Sequence, residues 1–366
     1  MKTPIRHHSA GMALITVMCA IFVLSAMAAT FALSMKVETR LAQNANSNQQ
    51  LLWLGRSGVE LARYVLEQQL NLPNEPYDAL NQIWAGGPGG PDETNGVLSG
   101  LSLNNYQVGD GNVSVKIIDL ERKVNINTAA YSTRNPNPIQ QALILMGVDA
   151  SEINVVSDSI KDWIRTDGPQ PAGAKSDYYQ GLAVPYYAKE APIDDMSELL
   201  LVKGIQDHPE IYWGGSAMNH EPAQFQRKLG FGSSPGQTPD YPFGLTNLFT
   251  PFSNGKINLN TADVNVLQLI PGVNNVTADN LVKLRAGPDG AEGTEDDMPF
   301  PDPAGALQNA GLDPQLVPQA AAVCTVRSFT FEVHVTARIG DYKRDYVAIL
   351  ARSPGSDIQV LSFYWQ

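Results

Sequence analysis

Five carboxylates fall within nine positions in the stretch GPDGAEGTEDDMPF at residues 287–300: Asp289, Glu292, Glu295, Asp296 and Asp297. Side chains that close repel one another unless they spread into water or share a neutralising charge, and a hard cation taking six to eight oxygens is the usual neutraliser. Gly287, Gly290 and Gly293 would let the backbone wrap and offer carbonyl oxygens as further ligands. The spacing is not the D-x-D-x-D-G of an EF-hand, so two readings stand. One is a calcium site with Asp289, Asp296 and Asp297 as first ligands and Glu292 and Glu295 in reserve; the other is a solvated acidic loop.

No other cluster points to chemistry. The five histidines, His7, His8, His208, His220 and His334, never fall at metal-ligand spacing, and the chain lacks HExxH, GxSxG, GxxxxGK and GxGxxG. Without a nucleophile and base pairing, the sequence reads as that of a protein that is not an enzyme. Two cysteines, Cys19 and Cys324, cannot supply a disulfide framework. A balance of 25 Lys and Arg against 37 Asp and Glu, net -12, opposes a protein whose main work is gripping phosphate.

The elements that would carry these residues begin with an apolar run. Residues 11–35, GMALITVMCAIFVLSAMAATFALSM, hold no charge, and about 20 such residues cross a bilayer core. Lys2, Arg6, His7 and His8 precede the run, so the positive-inside bias sends the rest of the chain outward. Three readings compete: a secretory signal cleaved after the A-x-A-like end at Ala26 to Ala28, a plain anchor, and the first half of a much longer helix. The third rests on the residues beyond Met35. No breaker intervenes there, and Val37, Leu41, Ala45, Asn48, Leu52, Gly55, Val59, Ala62 and Val65 or Leu66 recur at three- and four-residue steps. One helix over residues 12–70 would be about 90 Å long, half in lipid and half against a globular head.

Beyond a Pro-, Gly- and Asn-rich loop at 71–100, residues 106–108 and 113–120 read as a hairpin turning through Gly109 to Asn112. At the far end, 328–338 alternates Phe329, Phe331, Val333 and Val335 with polar partners, 342–351 runs back after Gly340 and Asp341, and 358–365 adds a third strand. Strands on both sides of a long middle predict one sheet domain with an insertion. That middle echoes itself: KVNINTA at 123–129 and KINLNTA at 256–262 each precede an apolar helical pattern ending in Gly-Val, and SELLLVKGI at 197–205 fits a third such end. Thr128 and Thr261 sit where N-cap hydroxyls are expected, each at an extended piece entering a helix. Residues 257–285 resemble a helix-hairpin-helix, with the hairpin at Pro271, Gly272 and Val273 and Thr277 capping the second helix. DNA-binding versions hold a phosphate there. Lys256, Lys283 and Arg285 against Asp263 and Asp279 leave only about +1, so nucleic acid is disfavoured and a helical packing unit is preferred.

The long amino-terminal helix resembles that of type IV pilins and pseudopilins, and Gly11 followed by Met12, Ala13, Leu14 and Ile15 looks like their prepilin peptidase site. Most such subunits carry glutamate at mature position five, where this chain has Thr16; the type II secretion protein K family characteristically lacks it. Asp162, Trp163 and Ile164 followed by Asp167, the pair Tyr178 and Tyr179 in a loop, Ser197, Glu198, Leu199, Val202 and Gly204, both NTA motifs and the terminal VLSFYW resemble that family in order. The run Gly173 to Ser176, GAKS, departs from its acidic GAED-like pattern. The loops at 71–100 and 208–251 lie outside the resemblance.

The resemblance implies an α+β fold: a pilin-like long helix and antiparallel sheet with a mainly helical domain, of SAM-like or helix-hairpin-helix-like units, inserted in the sheet domain. Its parts would be a leader at 1–11, the helix at 12–70, sheet at 71–123, insertion at 124–322 and sheet again at 323–366. It further implies a minor pseudopilin at the pseudopilus tip, single-pass in the inner membrane with its bulk in the periplasm. Its partners would be protein I-like and protein J-like minor pseudopilins, the major pseudopilin, the prepilin peptidase and the inner-membrane assembly platform. The loop DG-xx-GT-x-DD is similar to the calcium loop of major pseudopilins, which favours calcium. The rival is an exported, membrane-anchored helix-hairpin-helix DNA-binding protein.

Overall fold

The computed structural model describes residues 10–215, 241–353 and 357–366. Helix α1 runs unbroken over Ala10–Leu70, 61 residues, about 90 Å at 1.5 Å per residue. Its two halves live in different surroundings. Every large apolar side chain from Leu14 to Leu41 is more than half exposed, whereas Leu51, Leu54, Val59, Ala62, Val65 and Leu66 are buried. The expected stripe therefore starts packing at Leu51, not at Val37, which is 56% exposed, because the sheet reaches no further down the helix. Below that point the tip of a strand hairpin touches it, where the Tyr342 hydroxyl donates to Asn44 Oδ1 at 2.9 Å and Arg344 donates to Asn48 Oδ1 at 3.1 Å. Two glycines allow the close seat: a Cβ at Gly55 would lie 2.5 Å from the Tyr346 ring, and one at Gly58 would lie 2.4 Å from Val335.

Five antiparallel strands cover that face in the order β1 (Tyr106–Val108), β2 (Gly111–Asp119), β7 (Thr330–Ile339), β8 (Tyr342–Arg352) and β9 (Ile358–Trp365). Register pairs Val115 with Val335 and Val333 with Ala348, so alternate residues of β2 and β7 bury against α1 as the two-residue period requires. The irregular stretch after α1 closes the end of this core, with Trp84 edge-on to Phe331 at 5.4 Å.

Between β2 and β7 the chain builds a second hydrophobic core from short helices. It is organised by two parallel strand pairs: β3 (Val124–Asn125) beside β4 (Phe249–Thr250), and β5 (Ile257–Asn258) beside β6 (Cys324–Thr325). Each pair opens on one echo motif and closes a unit. In the first unit Asn125 Oδ1 accepts the N–H groups of Asn127 and Thr128 at the start of the helix Ile126–Ala130. In the second, Asn258 Oδ1 accepts the Asn260 N–H, and the helix Val264–Leu267 starts later, capped by Asp263. Asparagine caps where threonine was expected, because its carbonyl, already at the bend, reaches the N–H two residues on. Thr128 instead donates to the Asn125 carbonyl and Thr261 to the Asp119 carboxylate; Asn274, not Thr277, caps the helix Asn275–Arg285.

The second asparagine of each motif does the same job twice. Asn127 exchanges two hydrogen bonds with the backbone of Ile193, at 3.0 and 2.7 Å, and Asn260 exchanges two with Phe300, at 3.0 and 2.8 Å. Each pins a remote segment beside the start of its unit.

A buried polar seam seats the insertion on the sheet. The Asn258 side-chain amide donates to the Asp78 carbonyl, the Asp119 carboxylate and the Ser328 hydroxyl. Glu121 accepts the N–H groups of Phe329, Thr330 and Asn254, and Arg352 pairs with Asp78. Burial pushes the Glu121 carboxyl up to about 8, with the neighbouring Asp119 adding to it.

Candidate functional site

Two groups of side chains were expected to carry function and a third to carry the family resemblance, and they lie apart along the chain. Gly11 and Met12 are in the first turn of α1. Thr16 lies among the exposed apolar residues that come next, its hydroxyl donating to the Ala13 carbonyl at 3.0 Å, the ordinary way a helix satisfies a threonine in an apolar setting. This apolar helix is the candidate membrane span among the described residues.

The acidic loop comes after the helix Asn275–Arg285 and is drawn together by its own carboxylates. Asp296 accepts the Asp289 N–H at 2.9 Å and the Thr294 hydroxyl at 2.8 Å, and Asp297 accepts the Gly293 N–H at 2.8 Å. These bonds hold the Asp296 carboxyl below the usual carboxylate range. Glu292 has another partner: it meets Arg285 Nε at 2.5 Å. Arg285 is buried, also donates to the carbonyls of Leu259 and Ala262, and needs that carboxylate to compensate a desolvated charge. Asp289, Glu295, Asp296 and Asp297 remain for a cation, an all-oxygen set suited to calcium, although no three acidic side chains converge among the described residues. A site there would draw further oxygens from the backbone of the wrapped loop.

Arg285 also bears on nucleic acid. Of the three basic residues in the hairpin motif it faces inward, which leaves Lys256 and Lys283 for a phosphate and weakens the DNA-binding reading.

The third group gathers in the first unit. Asp162, Trp163 and Ile164 end the helix Ala150–Ile164. Tyr178 and Tyr179 lie in a short helix, Ser176–Gln180, rather than the expected loop. Trp163 stands edge-on to Tyr179 at 5.4 Å, and Tyr179 stacks on Tyr186 at 5.1 Å, an aromatic partner the sequence did not single out. Trp163 Nε1 donates to Glu198 at 3.3 Å, and Glu198 in turn holds Lys189 at 2.7 Å and closes a capping box with Asp195. Asp162 accepts the Gln170 N–H at 2.9 Å, which folds back the loop after the helix. Where acidic residues were expected, the GAKS lysine, Lys175, donates to the carbonyls of Asp162 and Arg165 at the helix end. The motif residues thus form one packed knot, joined through aromatic faces and the half-buried Glu198 carboxylate.

This knot lies within residues 122–211, which match the family model described as type II secretion system (T2SS), protein K. Type II secretion system protein K of Aeromonas hydrophila is 25% identical over 214 residues, 53% of this chain and 59% of that protein. Its counterpart from Pectobacterium carotovorum subsp. carotovorum is 25% identical over 171 residues, 43% of this chain and 47% of that protein. Over these stretches the chain is similar to the type II secretion system protein K family. Its matches span about half the length of these relatives. Its fold is that of a chain in the crystal structure of the GspK-GspI-GspJ complex from the enterotoxigenic Escherichia coli type 2 secretion system, with a TM-score of 0.59 at 20% identity, covering 89% of this chain and 99% of that one. The family's region is the first unit and its knot, whereas the acidic loop belongs to the second unit, outside residues 122–211.

Proposed function

We propose that this protein is a minor pseudopilin of a type II secretion system, cut by the prepilin peptidase between Gly11 and Met12 and held in the inner membrane by the apolar half of α1, with the head in the periplasm. The observation that carries the reading is the divided helix: exposed and apolar through Met35, polar to Gln50, then buried under a sheet. An exposed apolar helix of that length is stable only in lipid or against other helices of its kind. The head argues for a terminal place in the fibre. An insertion with its own hydrophobic core is a domain's worth of chain, hard to repeat around a tightly wound fibre. Thr16 in place of a carboxylate fits a subunit with no neighbour above it to neutralise. Partners would be protein I-like and protein J-like subunits beside it, then the major pseudopilin and the assembly platform.

Two measurements test the reading. Mass spectrometry of the mature chain should find an amino terminus at Met12; one near Ala29 or Thr30 would make it an ordinary secreted protein. A deletion strain should lose secretion or change the number and length of its pseudopili, and unchanged secretion and pili would defeat the tip role. Calcium at the acidic loop is part of the proposal, with Asp289, Asp296 and Asp297 as side-chain ligands, Glu295 in reserve and Glu292 retained by Arg285. Calorimetry on the chain with and without Asp296→Ala and Asp297→Ala should show affinity only in the parent.

A further inference from the structure

Where the two repeat units meet, they leave a cleft of about 420 Å³, within the size range of sites that take small organic ligands. Ile257 and Leu269 are part of an apolar wall, and Ser132, Thr133 and Gln319 supply polar groups. Among the described residues, the one charged residue on the lining is Arg134. In a chain with 37 acidic residues against 25 basic ones, a cleft that shows a guanidinium and no carboxylate is unusual.

Arg134 is fixed rather than waving in solvent. Its Nε donates to the Pro136 carbonyl at 3.0 Å and its Nη1 to the Leu269 carbonyl at 2.8 Å, so the guanidinium plane is clamped between one unit and the other. Carbonyl oxygens orient a cation without neutralising it. Burial alone depresses this guanidinium's pKa, and no carboxylate among the described residues offsets the effect. Of the five N–H donors an arginine carries, one on Nη1 and both on Nη2 are left over among the described residues, a planar edge of the kind that grips a carboxylate.

We propose that this cleft binds a carboxylate carried on an apolar body, with the free edge of Arg134 gripping the carboxylate and the Ile257 and Leu269 wall taking the apolar part. A free organic acid and the carboxyl terminus of a peptide share that chemistry. The test uses the full chain in detergent micelles and ligand-observed NMR titrations with N-acetyl-leucine, with the uncharged N-acetyl-leucinamide, and with a short peptide ending in leucine. The carboxylate should bind at least about tenfold more tightly than the amide, a preference that falls as salt is raised. A peptide that binds as N-acetyl-leucine does means the acid group and one side chain suffice, and a peptide that binds more tightly means the cleft reads a chain terminus; both uphold the site.

Arg134→Gln should remove the preference, but it also cuts a bond between the units. Thr133→Glu is therefore the decisive variant: Thr133 is exposed, so the substitution spares the packing while setting a carboxylate beside Arg134 to occupy it. Failure of the parent chain to bind N-acetyl-leucine, equal binding of acid and amide, or a preference that survives Thr133→Glu in a folded protein overturns the proposal.

Discussion

In the first unit of the insertion the N-x-N-T-A turn lies half open to solvent, with Asn127 partly buried and Thr128 exposed; in the second, Asn260 and Thr261 are buried against the seam with the sheet. The backbone device is the same, an asparagine-capped turn followed by an asparagine that pins a remote segment. The surroundings differ, and with them the load. The first unit carries the aromatic knot, in the region that resembles protein K, and the second carries the acidic loop and the seam. A repeated local motif can thus be kept for its geometry while its energetic weight is set by what packs over it.

The comparison can be broken by substitutions. The largest effect should come from the knot. Trp163→Ala empties a space against the stacked Tyr179 and Tyr186 and removes one donor from Glu198, so a loss of about 4 kcal/mol is expected in denaturant unfolding of the insertion, with the sheet core unaffected. A single transition in which both cores melt together would show that the units do not stand apart from the sheet.

Next come the two pins. Asn260→Ala leaves the Phe300 N–H and carbonyl without partners in a buried setting and should cost about 3 kcal/mol, whereas Asn127→Ala, with water within reach, should cost about 1 kcal/mol. Equal costs would mean that burial does not separate the two copies.

The smallest effect concerns the seam. Glu121 ionises near pH 8 in the fold and near 4.5 when exposed, so the fold favours its neutral form. The associated stability is fully present below pH 4.5 and is lost as the pH climbs towards 8. The melting temperature should therefore fall by a few degrees across that window, and Glu121→Gln should flatten the slope. A slope that survives the substitution would move the effect to another buried acid, such as Glu93, which burial pushes up to about 7.

Much of this architecture was readable along the chain because it obeys local periodicity. The strands at 111–119 and 330–339 alternate buried and less buried residues, and the amino-terminal helix has no breaker for 61 residues, so their types come from steric rules acting over a few positions. The misreadings are also local in origin. Threonine, asparagine and aspartate all suit a helix start, and Thr128, Thr261 and Thr277 lost that place to Asn125, Asp263 and Asn274 because only coordinates show which oxygen faces the free N–H. Tyr178 and Tyr179 sit in a stretch rich in loop residues, and a turn of helix forms there because Tyr179 is drawn into the knot with Trp163 and Tyr186.

By itself the sequence determined the apolar span, the period of every long element, the duplication of the NTA motif and the gathering of five carboxylates, since each is a matter of residue type and spacing. Only the tertiary structure decided the pairing of charges. Arg285 turns from a prospective phosphate ligand into the buried partner of Glu292, seven residues on. Asp78 meets Arg352 across 274 residues, and Arg134 reaches a carbonyl 135 residues away while keeping one edge free. Desolvation sets these choices: a charge is cheap anywhere in water, but once a fold buries it, it must find a partner among whatever the topology brings within a few ångströms.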